Sequence, residues 1–183
     1  MSFGLLKDQT DMRKAVLEAH AKSILMFAAA SNKGGNFNVT YPAKYGEAIC
    51  IFSTDGLGSD SIYNPTQMGG SGYHLATLGE GVKSAWPIDL QEGSNFERRM
   101  SGTSFATPIA AGVAACVLEF ALMNQKDNNL YEKLHRRDQM KEVFAQRLAD
   151  NRNGWHYIRP WKLFDKERSE DTILTLIEEA LEG

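Results

Sequence analysis

MSGTSFATPIAAGVAACVLEFALM, residues 100–123, contains the longest mostly apolar run of the chain and decides its fold. Its many alanines and glycines predict a helix that approaches its neighbours closely. Pro108 would end most helices. Four residues after Ser104, however, it removes only a first-turn hydrogen bond, whose acceptor would be the Ser104 carbonyl. The stretch therefore predicts a long buried helix that begins near Ser104.

The length of this run also raises the alternative of a membrane span. Thr107, Pro108 and Glu119 lie within it, and they fit a buried helix of a globular protein better. The whole chain has 183 residues, 43% hydrophobic and 23% charged, which suits one domain with a core. Its net charge of -3 gives no reason to expect a nucleic acid or an anionic membrane as a partner. We expect neither.

Upstream of this helix, helical and strand patterns alternate. Residues 7–22 form an amphipathic helical pattern. The predicted strands cover residues 23–30, 47–53, 73–77 and 82–86. The first two are nearly continuous apolar runs, which is typical of parallel strands buried on both faces. Residues 54–72 read as a loop, and residues 87–99 as a surface loop or hairpin. A helix followed by a buried strand indicates an α/β fold.

After residue 123 the chain becomes rich in charge. Helices are predicted near residues 136–149 and 171–181, with an aromatic cluster between them. A separate domain of 60 residues would be marginal in stability. We therefore divide the chain into residues 1–123, which form the main domain, and residues 124–183, a helical extension that packs onto it.

Ser104 lies where the long helix should begin, after Gly102 and Thr103. The free N–H groups and the positive dipole end of a helix favour negative charge there. A serine that attacks a carbonyl creates an oxyanion, which needs such donors already in place. An isolated Gly-Thr-Ser is more often explained by an N-cap serine. The longer string around it favours a nucleophile.

GTSFATP (residues 102–108), followed by IAAGVAA (109–115), resembles the Gly-Thr-Ser-x-Ala-x-Pro signature of the subtilase family of serine proteases. AAASNKGG (residues 28–35) is similar to the strand end that presents the oxyanion asparagine of that family. The resemblance implies a serine endopeptidase acting on a peptide or protein substrate, with Ser104 as nucleophile and Asn32 in the oxyanion hole. It also implies the C-terminal half of a doubly wound, mostly parallel sheet.

Two further segments resemble the family more weakly. VTYPAKY (residues 39–45) is similar to the base of the specificity pocket, which implies a cis peptide before Pro42. MSFG (residues 1–4) resembles the end of the strand that pairs with the substrate backbone. The substrate-binding residues implied by the resemblance are Ser2, Phe3, Gly4, Ala30 and Thr40.

The sequence contains no motif that would supply the general base or its orienting carboxylate. In subtilases the order is Asp, His, Ser, so both should precede Ser104. None of the histidines His20, His74, His135 and His156 is followed by glycine, and no Asp-Thr-Gly or Asp-Ser-Gly occurs. We expect the aspartate and histidine to come from an upstream half of the same domain, without which this chain is inactive. The alternative is a non-catalytic remnant that acts as a binding or scaffold module.

Other site classes find little support. Neither Ser104 nor Ser71 stands in the Gly-x-Ser-x-Gly of an esterase. We expect no metal and no cofactor. Cys50 and Cys116 lie in apolar contexts and are interpreted as two buried, reduced thiols. The first residues lack a signal-peptide pattern, which slightly favours an intracellular protein, although an upstream segment could reverse that.

Overall fold

The computed structural model describes residues 1–66, 72–90, 96–124 and 129–182. Its helices are α1 (Thr10–Ala21), α2 (Thr103–Asn124), α3 (Asn129–Leu134), α4 (Arg137–Val143) and α5 (Glu170–Glu182). Its strands are β1 (Phe27–Ala29), β2 (Ile49–Thr54), β3 (His74–Leu78), β4 (Val82–Ala85), β5 (Glu97–Met100), β6 (Ala149–Arg152) and β7 (Trp155–Ile158). Parts of the predicted loops at 54–72 and 87–99, and the start of the predicted extension, fall on residues 67–71, 91–95 and 125–128, outside the described residues.

Five of the described strands form one sheet in the order β1-β2-β3-β7-β6. The pairs β1–β2, β2–β3 and β3–β7 are parallel, and only β6 runs antiparallel to its neighbour β7. The mostly parallel α/β architecture predicted from the sequence is thus confirmed. On the outer side of β1, the Ala29 N–H donates to the Met1 carbonyl at 3.0 Å, and the Met1 amine donates to the Phe27 carbonyl at 2.6 Å.

Side chains alternate between the two faces of this sheet, as the period of a strand requires. Along β2, Ile49 and Ile51 face a core that also contains α2, α4 and α5. Phe52 faces a smaller core on the other side, where it packs with Ala28 and Trp155. Both faces are covered, which explains why β1 and β2 read as nearly continuous apolar runs.

Helix α2 packs one face onto β1, β2 and β3. It runs unbroken through Pro108, as predicted. By length and composition it could also cross a membrane, but its inner face packs in the core: the buried residues are Thr103, Ala106, Thr107, Ala110, Val113, Ala114, Val117 and Ala121. Cys116 lies on the opposite face and is exposed, so its predicted burial is wrong. Cys50 is half-buried, and neither cysteine forms a disulfide.

The segment after residue 128 contains more strand than the sequence predicted. The expected helix over residues 136–149 ends as α4 at Val143 and continues as a π-helical turn, Phe144–Leu148. The hairpin of β6 and β7 was not predicted at all. Phe144 and Leu148 are fully buried in the same core as α2, together with Ile177 of α5.

The strands β4 and β5 pair antiparallel in a separate hairpin that leads from β3 to α2. Its residues are mostly exposed. Lys83 and Glu97 form an ion pair across the hairpin, and the Arg98 guanidinium lies 4.6 Å from the Trp86 ring centroid. Met100, the last residue of β5, precedes α2 by only two residues, so this hairpin delivers the chain directly to the helix start.

Candidate active site

The predicted nucleophile and oxyanion segments meet at the carboxyl ends of the parallel strands. Asn32 follows β1 by three residues, and Gly79 follows β3 directly. The Gly102 N–H, just before α2, donates to the Gly79 carbonyl at 2.7 Å. Open parallel sheets commonly place their ligand sites at this edge. The strand order therefore brings segments seventy residues apart in sequence into one corner.

Asn32 caps α2 from another part of the chain. Its Oδ1 accepts hydrogen bonds from the Thr103 backbone N–H at 2.7 Å and from the Thr103 hydroxyl at 2.9 Å. A backbone N–H can only donate, so the amide atom facing it must be the oxygen. This contact fixes the side-chain orientation and makes Nδ2 the donor end. The sequence predicted a donor at Asn32 but gave no sign of its capping role.

Gly102 is required by both its conformation and its neighbours. Its φ of +136° is one that residues with a Cβ rarely adopt. A Cβ built there would lie 2.6 Å from Asn32 Nδ2 and 2.9 Å from Asn32 Cγ. Glycine thus lets the asparagine amide lie directly against the chain that leads into α2.

Ser104 is the second residue of α2, inside its first turn. It does not act as the N-cap: its hydroxyl donates to the Ser2 carbonyl at 3.0 Å. The side chain is half-exposed. In the first turn, the Thr103 N–H donates to Asn32 and those of Phe105 and Ala106 donate to the Gly102 carbonyl. The Ser104 N–H is therefore the first-turn donor left to face an anion beside Ser104. Ser104 and Asn32 are therefore brought together with donors around them.

A cleft of about 230 Å³ opens beside these two residues. Of the residues that the resemblance assigns to substrate binding, Phe3, Gly4 and Thr40 line this cleft, and Ser2 contacts Ser104 through its carbonyl. Ala30 is fully buried; the alanine that lines the cleft is Ala29. Lys33 also lines the cleft and was not predicted as a site residue. Its position directly after the predicted oxyanion residue Asn32 could have suggested that it lies at the site.

Thr40 is held at the base of the cleft. Its backbone N–H donates to the Ala30 carbonyl at 2.9 Å, and its hydroxyl donates to the same oxygen at 3.1 Å. The hydroxyl oxygen occupies the space that a Cβ on Gly4 would need. The peptide bond between Tyr41 and Pro42 is cis, as predicted.

No histidine is near Ser104. All four lie in the described residues, and none lines the cleft. His20 is exposed in α1, and His74 begins β3. Burial lowers the pKa of His156, and the nearby His74 lowers it further. His135 stacks edge-on against Tyr131, with ring centroids 4.7 Å apart.

In the described part of the chain, no group of three His, Cys, Asp or Glu side chains is placed to hold a metal ion. The corner that contains Ser104 offers amide, hydroxyl and backbone N–H groups. These groups suit a transient anion. The described residues around the cleft thus combine a serine hydroxyl with hydrogen-bond donors, and no histidine is among them.

Residues 1–155 match the sequence profile of the Subtilase family. The subtilisin-like protease het-Q2 of Podospora anserina is 36% identical over 116 residues, covering 63% of this chain and 31% of that protein. Alkaline elastase YaB of Bacillus sp. (strain YaB) is 35% identical over 117 residues, covering 64% of this chain and 28% of that protein. The chain thus spans about a third of the length of these curated relatives.

Solved structures agree on the fold. The S218A mutant of the protease domain of PatA superimposes with a TM-score of 0.70 at 21% identity, covering 98% of this chain and 58% of that one. The prenylagaramide maturation protease PagA superimposes with a TM-score of 0.68 at 21% identity, covering 100% of this chain and 61% of that one. The fold, the corner around Ser104 and the match over residues 1–155 lead to one conclusion. This chain belongs to the subtilase family, a family of serine-type proteases.

Proposed function

We propose that this chain supplies the nucleophile and the oxyanion donors of a serine endopeptidase. The observation that carries the proposal is the corner formed by Ser104 and Asn32. Thr103 fixes the amide of Asn32 with its oxygen turned to the helix, leaving Nδ2 as a donor. Gly102 keeps that amide close to the start of α2. A serine and a preorganised donor at a helix start supply the nucleophile and the oxyanion stabilisation of an acyl-transfer site.

In the proposed reaction, the Ser104 hydroxyl attacks the carbonyl carbon of the scissile peptide. Its proton passes to a histidine, and the carbonyl oxygen becomes an oxyanion. Asn32 Nδ2 and the Ser104 backbone N–H donate to that oxyanion. Collapse expels the amine, which takes the proton from the histidine, and leaves an acyl-enzyme on Ser104. Water, deprotonated by the same histidine, then releases the acid and restores the serine.

The histidine and its carboxylate come from outside these 183 residues in this proposal. The support is that none of the four histidines lines the cleft with Ser104. Among the described residues, Met1 is the one that forms backbone hydrogen bonds along the outer edge of β1, and this edge offers a place for further strands of the same domain. An upstream half with Asp-Ser/Thr-Gly and His-Gly motifs would complete the site.

The missing base also supports a second candidate, a subtilase-like binding or scaffold module that does not cleave. Reading the coding sequence upstream of Met1 separates the two. The presence of both motifs favours the peptidase. If neither motif exists there, the non-catalytic module becomes the better proposal for the native product.

Peptide hydrolysis tests the proposed activity directly. In a chain that includes the upstream half, we expect Ser104→Ala to reduce hydrolysis of a peptide anilide by about 10⁴-fold or more, because the nucleophile is lost. Ser101→Ala is the matched control, since the Ser101 hydroxyl accepts a hydrogen bond from the Gly81 N–H at 2.9 Å and Ser101 is not among the residues that line the cleft. It should keep most of the activity. Substantial hydrolysis by Ser104→Ala would contradict the proposal.

A further inference from the structure

The side chains that line the cleft beside Ser104 include a positive charge and no described negative charge. Lys33 is the one charged side chain among the described residues that line it. Its ammonium lies over the Phe37 ring, 5.5 Å from the ring centroid, and the side chain is exposed. The other lining groups are apolar, such as Phe3 and Leu6, or neutral and polar, such as Thr40. A cleft with one cation and no described anion attracts negative charge.

Two neutral polar side chains of the cleft, those of Thr40 and Asn32, already have a partner or an assigned role. The Thr40 hydroxyl donates its proton to the Ala30 carbonyl, so it offers a ligand only lone pairs. Asn32 Nδ2 is the donor assigned to the oxyanion in the proposed function. Among the described residues that line the cleft, Lys33 supplies the cationic donor for a charged group.

The surroundings strengthen this positive character. A second cavity of about 250 Å³ adjoins the cleft through Leu6 and Thr40, and Lys44 lines it. The nearest carboxylate in sequence to Lys44 is Glu47, which is held by Arg13 in a two-point ion pair at 2.5 and 2.9 Å. That pairing leaves Glu47 little tendency to neutralise either lysine.

We propose that the cleft accepts an acidic side chain, glutamate or aspartate, from the substrate residue on the acyl side of the scissile bond. Lys33 is then a specificity-determining residue. The inference rests on the proposed peptidase function, because it assumes that the cleft receives the side chain beside the attacked carbonyl. At about 230 Å³ the cleft is below the usual 300 Å³ or more of small-molecule pockets, and suits one side chain.

The expected size of the effect is modest. An exposed ammonium gains little from a carboxylate in water, and the interaction is screened by salt. We expect a glutamate to bind roughly 3- to 10-fold more tightly than its neutral isostere glutamine. Lysine at the same position should bind more weakly than glutamine, because like charges repel. Both differences should shrink between about 0.05 and 0.5 M salt.

Product-like peptides test the inference without requiring cleavage. The probes are N-acetyl-Ala-Ala-Pro-Glu and its versions ending in Gln or Lys, titrated calorimetrically into the 183-residue chain. All three end in the same carboxylate, so differences report the side chain. Lys33→Glu should reverse the order to Lys, Gln, Glu, and Lys33→Gln should abolish the preference. Both variants change an exposed side chain and should fold normally.

Lys44→Glu is the matched control. It makes the same charge change in the adjoining cavity, so the Glu preference should survive it. Equal binding of the Glu and Gln peptides, a preference that persists in Lys33→Glu, or no peptide binding at all would overturn the inference. Because binding needs no catalytic base, a failure here is separate from a failure of the proposed hydrolysis.

Discussion

Two polar regions of this subtilase chain lie at opposite edges of the same sheet. At the carboxyl ends of the strands, Asn32 and Ser104 meet around Gly102. At the amino end of β3, His74 lies among aromatic rings and close to His156. The first region contains a nucleophile and anion donors but no base. The second contains imidazoles but no nucleophile.

The sheet keeps these regions apart. His74 begins β3, and Gly79 after its end contacts Gly102. Four steps of roughly 3.3 Å separate His74 from Leu78 along the strand, or about 13 Å. His156 pairs with Leu75 in the parallel register and so lies near the same amino edge. A histidine must approach the serine hydroxyl within hydrogen-bond reach to act as its base. The comparison teaches that His74 and His156 lie at the edge of the sheet opposite to Ser104.

After loss of the Ser104 hydroxyl, substitutions at Asn32 give the largest effect expected within the first region. In an active form of the protein, Asn32→Ala should lower kcat by about 10² to 10³-fold with little change in KM, since the bond to the oxyanion forms mainly in the transition state. The same variant should lose about 1 kcal/mol of stability, because α2 loses its cap. Steady-state kinetics and thermal unfolding measure the two effects.

Asn32→Asp separates the two roles of this residue. A carboxylate still accepts from the Thr103 N–H, so stability should be retained. The donor is lost, so activity should still fall as in Asn32→Ala. If Asn32→Asp were as active as the unmodified protein, Nδ2 would not be the oxyanion donor.

Gly102→Ala should have the next largest effect. The new Cβ would lie 2.6 Å from Asn32 Nδ2 at a φ of +136°, so both the backbone and the amide must shift. We expect a loss of about 1–3 kcal/mol in unfolding free energy, together with reduced activity.

Gly112→Ala provides the control on the same helix. A Cβ at Gly112 has nothing within 4 Å, so this variant should be as stable as the original chain, or up to about 1 kcal/mol more stable. Equal effects of the two substitutions on thermal unfolding would show that Asn32 does not pack closely against Gly102.

The second region gives the smallest expected effect, a pH dependence of stability. Burial holds the folded-state pKa of His156 below its unfolded value. The stability contribution of the neutral imidazole is therefore full above about pH 6.5 and is lost as pH falls through the folded-state pKa. His156→Gln should lessen the acid-induced drop in unfolding temperature.

His20→Gln, at an exposed position of α1, should leave that acid-induced drop unchanged. Neither histidine variant should change hydrolysis in the complete protein. A loss of activity in His156→Gln without a loss of stability would break the comparison between the two edges of the sheet.

The sequence predicted the features that depend on local pattern or on the family motif. These include α2 through Pro108, the parallel strands and the cis bond before Pro42. The hairpin of β6 and β7 had a local signal that our prediction missed: Asn153-Gly154 joins the two strands, and both residues have positive φ. The place of this hairpin in the sheet could not be predicted, because Trp155 pairs with His74, eighty-one positions earlier, and no local pattern encodes such a distant partner.

The finer parts of the site also depend on tertiary contacts. The capping contact between Asn32 and Thr103 joins two segments that are seventy-one residues apart. The exposure of Cys116 depends on which face of α2 meets the sheet, and an alanine-rich helix with apolar residues on every side does not reveal that face. Residue types in the corner were predictable; their mutual orientation was not.

Covalent labelling of Ser104 tests the central claim most directly. A sulfonyl fluoride is incubated with the 183-residue chain and, in parallel, with a chain that includes the upstream half, and the modified residue is located by mass spectrometry. We predict rapid modification of Ser104 in the longer chain, none in its Ser104→Ala variant, and at least about 100-fold slower modification in the 183 residues alone, where nothing activates the hydroxyl. Rapid labelling of Ser104 in the 183-residue chain would contradict the claim that its base lies outside this sequence.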